Sequence, residues 1–86
     1  MMDGEGARIL SEFGQNRSLA PGSEQAQALV KKWHAYITSN YYTCTKEILS
    51  CLGQMYVADE RFTQHIDGYG AGTAAFMAAA IEIYTR

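Results

Sequence analysis

The sequence predicts an all-α fold of about five helices. Apolar residues recur at steps of three and four along several segments, which is the spacing of one helix face. No segment alternates apolar and polar residues as a half-buried strand does. The chain has 86 residues and is 48% hydrophobic, which suffices for one modest core. We therefore expect a single small helical domain over 1–86.

The first helix is predicted from about Glu5 to Gln15. Its apolar positions are Ala7, Ile9, Leu10 and Phe13. The only proline of the chain marks the loop that follows. Residues 1–22, which comprise this helix and its loop, are expected to be flexible.

The second helix is predicted to begin after Ser23 and to end near Asn40. The Ser23 hydroxyl is suited to accept a backbone N–H that has no partner within the helix. Glu24 then lies near the positive end of the helix dipole. The predicted inner face is Ala26, Leu29, Val30, Trp33 and Ile37.

The third helix is predicted to start at a threonine cap, for which Thr43 and Thr45 are both candidates. Gly53 lies inside this helix, where glycine costs about 1 kcal/mol relative to alanine. Such a glycine is useful where something approaches closely, and we expect a crossing helix there in preference to a ligand. The predicted apolar stripe is Ile48, Cys51, Leu52, Met55 and Tyr56.

A fourth helix is predicted after Asp59, a second strong cap, with Phe62, Ile66 and Tyr69 on its inner face. Three glycines between residues 68 and 72 should end it. The fifth helix is predicted to open at Thr73, with a stripe of Phe76, Met77, Ala80, Ile81 and Tyr84.

Charge and motif patterns exclude several classes of function. The net charge is −2, and the seven basic residues are scattered, so the chain alone is not expected to bind nucleic acid. No apolar run is long enough for a membrane span, and the start lacks a secretory signal, so we expect a cytoplasmic protein. His34 and His65 follow no metal-ligand spacing, and His34 is expected to be solvated or on a flank. No catalytic motif is present, so we predict no enzyme, no metal and no cofactor.

The two cysteines, Cys44 and Cys51, are seven positions apart. On one helix their Cα atoms would be about 10 Å apart, too far for a disulfide. We therefore expect free thiols in a reducing compartment. By position alone, Cys51 resembles a small buried hydrophobe, whereas Cys44 lies nearer a helix start that favours the thiolate. Local electrostatics thus make Cys44 the more reactive thiol.

Tyrosines are concentrated near the predicted helix ends, at positions 41, 42, 56 and 69. A tyrosine supplies a large rigid contact area and a hydroxyl for hydrogen bonding. The pattern is consistent with the rim of a ligand site. Packing at helix corners explains it equally well, and both interpretations stay open at this point.

Two segments resemble a known family. Tyr42-Thr43-Cys44 is followed by the run CLGQMYVADERF, from Cys51 to Phe62, and then by GTAAFM, from Gly72 to Met77. This arrangement resembles the TipAS-type antibiotic-recognition domains of MerR-family transcriptional regulators. The similarity covers about 23–84, and the twelve-residue central run is its most specific part.

The resemblance implies a globin-like bundle without haem that binds thiopeptide antibiotics or other bulky hydrophobic drugs. Such a domain is the effector half of a transcription activator or a stand-alone sequestering protein, and the DNA-binding domain is absent from this chain. The family's cysteine that adds covalently to a dehydroalanine of the antibiotic aligns with Cys51, so we follow the family there against the local argument. The candidate ligand-binding residues are Cys51, Tyr42, Cys44, Met55, Tyr56 and Tyr69.

Two other functions compete with this interpretation. One is a structural or protein-interaction bundle whose apolar stripes all face inward and which has no ligand. The other is a haem binder that uses His34 or His65, although no paired arrangement of histidines supports it.

Overall fold

The computed structural model describes residues 4–41 and 43–86, and this part of the chain is all-α, as predicted. The helices are α1 (Gly4–Gln15), α2 (Glu24–Asn40), α3 (Lys46–Ala58), α4 (Glu60–Asp67) and α5 (Thr73–Tyr84). Short loops join them, and no strand occurs among the described residues.

Side-chain caps fix the starts of three helices. The Ser23 hydroxyl accepts a backbone N–H of α2 at 3.2 Å, and the Thr45 hydroxyl does the same for α3 at 3.2 Å. The Asp59 carboxylate accepts the Arg61 N–H at 3.0 Å and so caps α4. The predicted caps of α2 and α4 are confirmed, and Thr45 rather than Thr43 caps α3.

The fifth helix lies at the centre of the bundle and contacts each of the other four helices. Its alanines allow this, because a small side chain lets a neighbouring helix approach closely. The approach is nearest at Gly53, where an added Cβ would lie 2.9 Å from Ile81 Cγ2. The predicted crossing helix at Gly53 is confirmed.

The first helix completes the core. Ile9, Leu10 and Phe13 are buried, and the Phe13 ring meets Phe76 of α5 edge to face with centroids 6.1 Å apart. The Arg17 side chain then ties the end of α1 to the loop before α5 by donating from Nε to the Ala71 carbonyl at 3.0 Å. The flexibility expected of residues 1–22 stays a prediction.

The third helix is rotated relative to the sequence-based prediction. The residues that it buries are Leu49, Gly53 and Tyr56, whereas Ile48 and Cys51 are exposed. The predicted inner stripe of α3 is therefore wrong at Ile48 and Cys51. It is confirmed at Tyr56 and confirmed in part at Leu52 and Met55, which are half-buried. The physical reason is the approach of α5 at Gly53, which turns that side of α3 into the core.

Phe62 on α4 also differs from its prediction. It was expected on the inner face together with Ile66, but only Ile66 is buried, and Phe62 is 38% exposed. Together with α3, this leaves an apolar surface on one side of the bundle that the core does not use.

Candidate functional site

An aromatic groove opens between α2, α3 and α4. Two adjacent cavities, of about 280 Å³ and about 210 Å³, share Trp33, Tyr56 and Phe62 and therefore form one groove. The first cavity is also lined by Tyr36, Ile37, Tyr41 and Leu52, and the second by Leu10, His65 and Ile66. We call this set of residues the aromatic groove.

The rings of the aromatic groove support one another. Trp33 stacks on Tyr36 with centroids 5.4 Å apart, and its Nε1–H donates to the Tyr56 hydroxyl at 3.3 Å. Tyr36 meets Tyr41 edge to face at 5.8 Å, and their hydroxyls are 3.3 Å apart. Tyr56 lies 6.1 Å from Phe62. Because each ring contacts another, the walls of the groove are largely formed before any ligand arrives.

Permanent charge is scarce along the aromatic groove. None of its described lining residues is a lysine, arginine, aspartate or glutamate. Arg61 adjoins two of the lining residues, Phe62 and His65, in a shallow depression at the outer end of the groove. Arg61 pairs with Asp59 at 3.0 Å, and the hydrogen bond from Arg61 lowers the pKa of Asp59 below its ordinary value. The carboxylate therefore offsets the Arg61 charge.

The thiol of Cys51 is exposed on α3, the helix that supplies Leu52 and Tyr56 to the aromatic groove. An α-helix turns by about 100° per residue. Going around α3 in steps of about 20–40°, one therefore meets in order Tyr56, Leu52, Ile48, Met55 and Cys51. Tyr56 and Leu52 line the groove. The next three residues, Ile48, Met55 and Cys51, continue the same apolar surface outward; we call them the α3 strip.

The other cysteine is in a different environment. Cys44 is 4% exposed and packs in the core, and its sulfur donates to the Thr45 carbonyl at 3.6 Å. Burial raises the pKa of the Cys44 thiol, since the thiolate loses its hydration there. The prediction that Cys44 is the more reactive thiol is wrong, because this residue precedes the cap of α3 and is desolvated.

Thiol labelling should separate the two cysteines. We expect Ellman's reagent to modify Cys51 at a rate typical of an exposed thiol and Cys44 at least about tenfold more slowly, because Cys44 must await local opening. Peptide mapping after timed quenching assigns the two rates, and labelling in denaturant should make them converge. Equal native rates would contradict the buried position of Cys44.

The remaining predicted ligand residues are distributed unevenly. Tyr56 lines the groove, and Met55 is half-buried on the α3 strip. Tyr69 lies in the turn after α4, where its ring meets His65 at 6.2 Å, so it lies beyond the groove rather than in its wall. Tyr42 lies outside the described residues.

Sequence reasoning missed most of the groove wall. The sequence pattern assigns Trp33 to the core and does not single out Tyr36 or Phe62 as ligand-binding residues, while Tyr41 enters only through the rim interpretation of the tyrosines. A signal existed in the spacing of Trp33 and Tyr36, which are three residues apart and therefore share a face of α2. The same spacing also fits core packing, so it does not identify a groove by itself.

His34 is half-buried and held by two partners, which agrees with the flank position of the two alternatives predicted for it and not with the solvated one. One ring nitrogen, Nε2, contacts the Cys44 carbonyl, and the other, Nδ1, lies 3.2 Å from the Tyr84 hydroxyl. A carbonyl only accepts hydrogen bonds, so Nε2 carries the proton in the neutral ring. Both nitrogens of His34 are thus engaged within the protein, which removes it as a haem ligand in this arrangement.

The described residues contain neither a metal-binding cluster nor a membrane-spanning helix. No group of three or more histidine, cysteine, aspartate or glutamate side chains is arranged to hold a metal ion within 4–41 and 43–86. Over the same residues, no helix combines the length and the apolar character that crossing a membrane requires.

Comparisons with known proteins place these features in a family. The TipAS antibiotic-recognition domain matches residues 1–84. The HTH-type transcriptional activator mta of Bacillus subtilis strain 168 is 44% identical over 64 residues, covering 74% of this chain and 25% of that protein. The HTH-type transcriptional activator TipA of Streptomyces coelicolor is 46% identical over 59 residues, covering 69% of this chain and 23% of that protein. The chain thus matches about a quarter of the length of these relatives.

Solved structures share the same fold. TipAS from Streptomyces lividans in complex with nosiheptide superposes with a TM-score of 0.86 at 35% identity, over 94% of this chain and 58% of that one. The antibiotic-binding domain of a TipA-class multidrug resistance transcriptional regulator superposes with a TM-score of 0.84 at 35% identity, over 94% of this chain and 88% of that one.

Proposed function

We propose that this chain, which belongs to the TipAS antibiotic-recognition domain family, binds a bulky hydrophobic antibiotic in its aromatic groove. The observation that carries the proposal is an open groove walled by aromatic rings, together with an exposed cysteine thiol on one of the helices that line it. A folded core does not need this surface, because the buried residues already pack on the other side of α3. A large apolar ligand would cover it and gain free energy from the apolar area removed from water.

Thiopeptides are the proposed ligand class. The similar TipAS structure from Streptomyces lividans is a complex with the thiopeptide nosiheptide. The two cavities of the groove, about 280 Å³ and about 210 Å³, are drug-sized rather than macrocycle-sized. A thiopeptide would therefore place part of its ring system in the groove and lie across the α3 strip with the rest.

This placement brings a thiopeptide past Cys51, where a covalent step is chemically reasonable. The Cys51 thiolate would add to the terminal carbon of a dehydroalanine, forming a carbon–sulfur bond as the double bond becomes single. The adjacent carbon then takes a proton from water, and no group leaves. The mass of the protein rises by the full mass of the antibiotic.

The relatives support a proposal for the wider role. Those named above are HTH-type transcriptional activators, so we propose that this chain acts in the cytoplasm as the effector part of a MerR-type activator or as a stand-alone sequestering protein. In either role it would contact the drug and leave DNA binding to other segments. The family is defined by antibiotic recognition rather than catalysis.

The alternative of a ligand-free interaction bundle requires apolar stripes that all face inward. Tyr41, Ile48, Val57 and Phe62 are all exposed, and two of them line the aromatic groove. This outward apolar surface favours the ligand-binding proposal.

Titration with thiostrepton tests the proposal directly. Trp33 is the only tryptophan of the chain and lies in the groove, so we expect saturable quenching of its fluorescence when the antibiotic binds. Intact-mass measurement on the same samples should show one added antibiotic. Unchanged fluorescence together with an unchanged thermal midpoint and mass across thiostrepton and nosiheptide would refute the proposal.

A further inference from the structure

The composition of the aromatic groove has a consequence for the charge of its ligands. Five of its lining residues carry aromatic rings, and these are Trp33, Tyr36, Tyr41, Tyr56 and Phe62. The face of an aromatic ring carries negative electrostatic potential and attracts a cation within about 6 Å of its centre. Tryptophan is the strongest such partner, and tyrosine and phenylalanine follow.

No fixed charge among the described residues opposes this potential along the first cavity. The described lining residues are five aromatic residues together with Ile37 and Leu52, so a cation there meets neither a lysine nor an arginine among them. The hydroxyl oxygens of Tyr36 and Tyr41 lie 3.3 Å from each other near the C-terminal end of α2. At the outer end, the Asp59 carboxylate offsets the charge of Arg61.

An anion would lack a comparable partner. Arg61 is committed to Asp59 through two donor contacts, from Nε at 3.3 Å and from Nη2 at 3.0 Å. Among the described residues that line the groove, the basic side chain is His65, and it borders the second cavity. The formal net charge of −2 also attracts cations and repels anions weakly at long range.

From these observations we infer that the aromatic groove selects lipophilic organic cations, such as quaternary ammonium or phosphonium compounds, over anions of the same shape. The inference rests on the proposed function of the same groove and extends it from one antibiotic class to a charge-selective range of drugs. Its physical basis is the attraction of a poorly hydrated cation to the aromatic rings of a groove whose described lining residues include no lysine, arginine, aspartate or glutamate.

Two ions of matched shape test the selectivity. Tetraphenylphosphonium and tetraphenylborate are close in size and differ in the sign of their charge. We expect the phosphonium ion to bind at least about tenfold more tightly, as followed by Trp33 fluorescence and calorimetry. The preference should persist in about 0.5 M sodium chloride, because added salt screens exposed charges but not contacts within the groove.

Variants of exposed rings locate the effect without disturbing the core. Tyr41 and Phe62 are 61% and 38% exposed, so Phe62→Leu and Tyr41→Leu should fold normally. Each should weaken phosphonium binding by about threefold to tenfold, whereas Tyr41→Phe, which keeps the ring, should not. Val57→Ala is the matched control, because Val57 is exposed on α3 but borders a separate depression against α5.

The outcomes separate this inference from the proposed function. Any of three results would overturn the cation selectivity. They are equal binding of the two ions, a preference that disappears in high salt, and leucine variants that bind the phosphonium ion like wild type. If thiostrepton still quenches Trp33 in those cases, antibiotic binding stands without it. If the antibiotic gives no signal either, the proposed function fails as well.

Discussion

We expect the variant Cys51→Ala to form no covalent adduct with thiostrepton, while Cys44→Ala forms the adduct as wild type does. The reason is the different environment of the two thiols. Cys51 is exposed at the outer edge of the α3 strip, whereas Cys44 is buried in the core with a raised pKa. Intact-mass measurement after incubation at equal concentrations gives a direct reading, because the adduct adds the full mass of the antibiotic.

Non-covalent binding separates the role of the thiol from that of the groove. Cys51→Ala removes one exposed atom and leaves the aromatic rings in place, so Trp33 fluorescence should still respond to the antibiotic, now reversibly on dilution. Cys51→Ser is a second control of nearly the same shape, and it should also bind without an adduct. Circular dichroism of each variant checks that the bundle is intact.

An adduct that persists in Cys51→Ala and disappears in Cys44→Ala would reverse the assignment. It would mean that the buried thiol becomes accessible when the ligand binds. Loss of both the adduct and the fluorescence response in Cys51→Ala would instead show that the thiol is needed for binding itself, which contradicts a groove formed by rings.

The largest effect on stability is expected for Gly14→Ala. A Cβ at this position would lie 2.3 Å from the Tyr69 carbonyl oxygen and 3.1 Å from its carbon. Backbone atoms cannot rotate aside as a side chain can, so α1 or the turn after α4 must shift. We expect a loss of about 2–3 kcal/mol in the free energy of unfolding, although alanine is the better helix former by about 1 kcal/mol. For a domain of this size, that lowers the thermal midpoint by about 10–20 °C.

A glycine in the same helix supplies the control. An added Cβ at Gly4 would meet no atom within 4 Å, so Gly4→Ala should leave the thermal midpoint unchanged or slightly higher. Scanning calorimetry of the two variants beside wild type measures the difference. If Gly14→Ala proved as harmless as Gly4→Ala, α1 would not be docked on the turn at Tyr69, and the flexible segment expected over residues 1–22 would be supported.

Local patterns in the sequence predicted the helices well because they depend on neighbouring residues. Capping by Ser23 and Asp59 involves a side chain and backbone groups a few residues away, so the sequence alone reveals it. The same holds for the periodic stripe of α2, whose predicted residues are all buried. The glycines after residue 67 likewise marked the end of α4.

The sequence did not predict which face a helix buries where apolar residues occupy more than one face of that helix. On α3, both Leu49 and Ile48 are apolar, but only Leu49 is buried. The choice was made by the contact between Gly53 and Ile81, residues far apart in the chain. Cys44 shows the same limit, since its burial depends on the packing of the loop between α2 and α3 and not on its distance from a helix start.

The sequence by itself thus determined the number and approximate extent of the helices, the caps of α2 and α4 and, through the run from Cys51 to Phe62, the family. Only the tertiary structure decided that Trp33, Tyr36, Tyr41, Tyr56 and Phe62 line one groove and that the exposed thiol is Cys51. The physical reason is that caps and apolar periodicity depend on residues within a single helix and its immediate flanks. A groove arises only where three helices meet without filling the space between them.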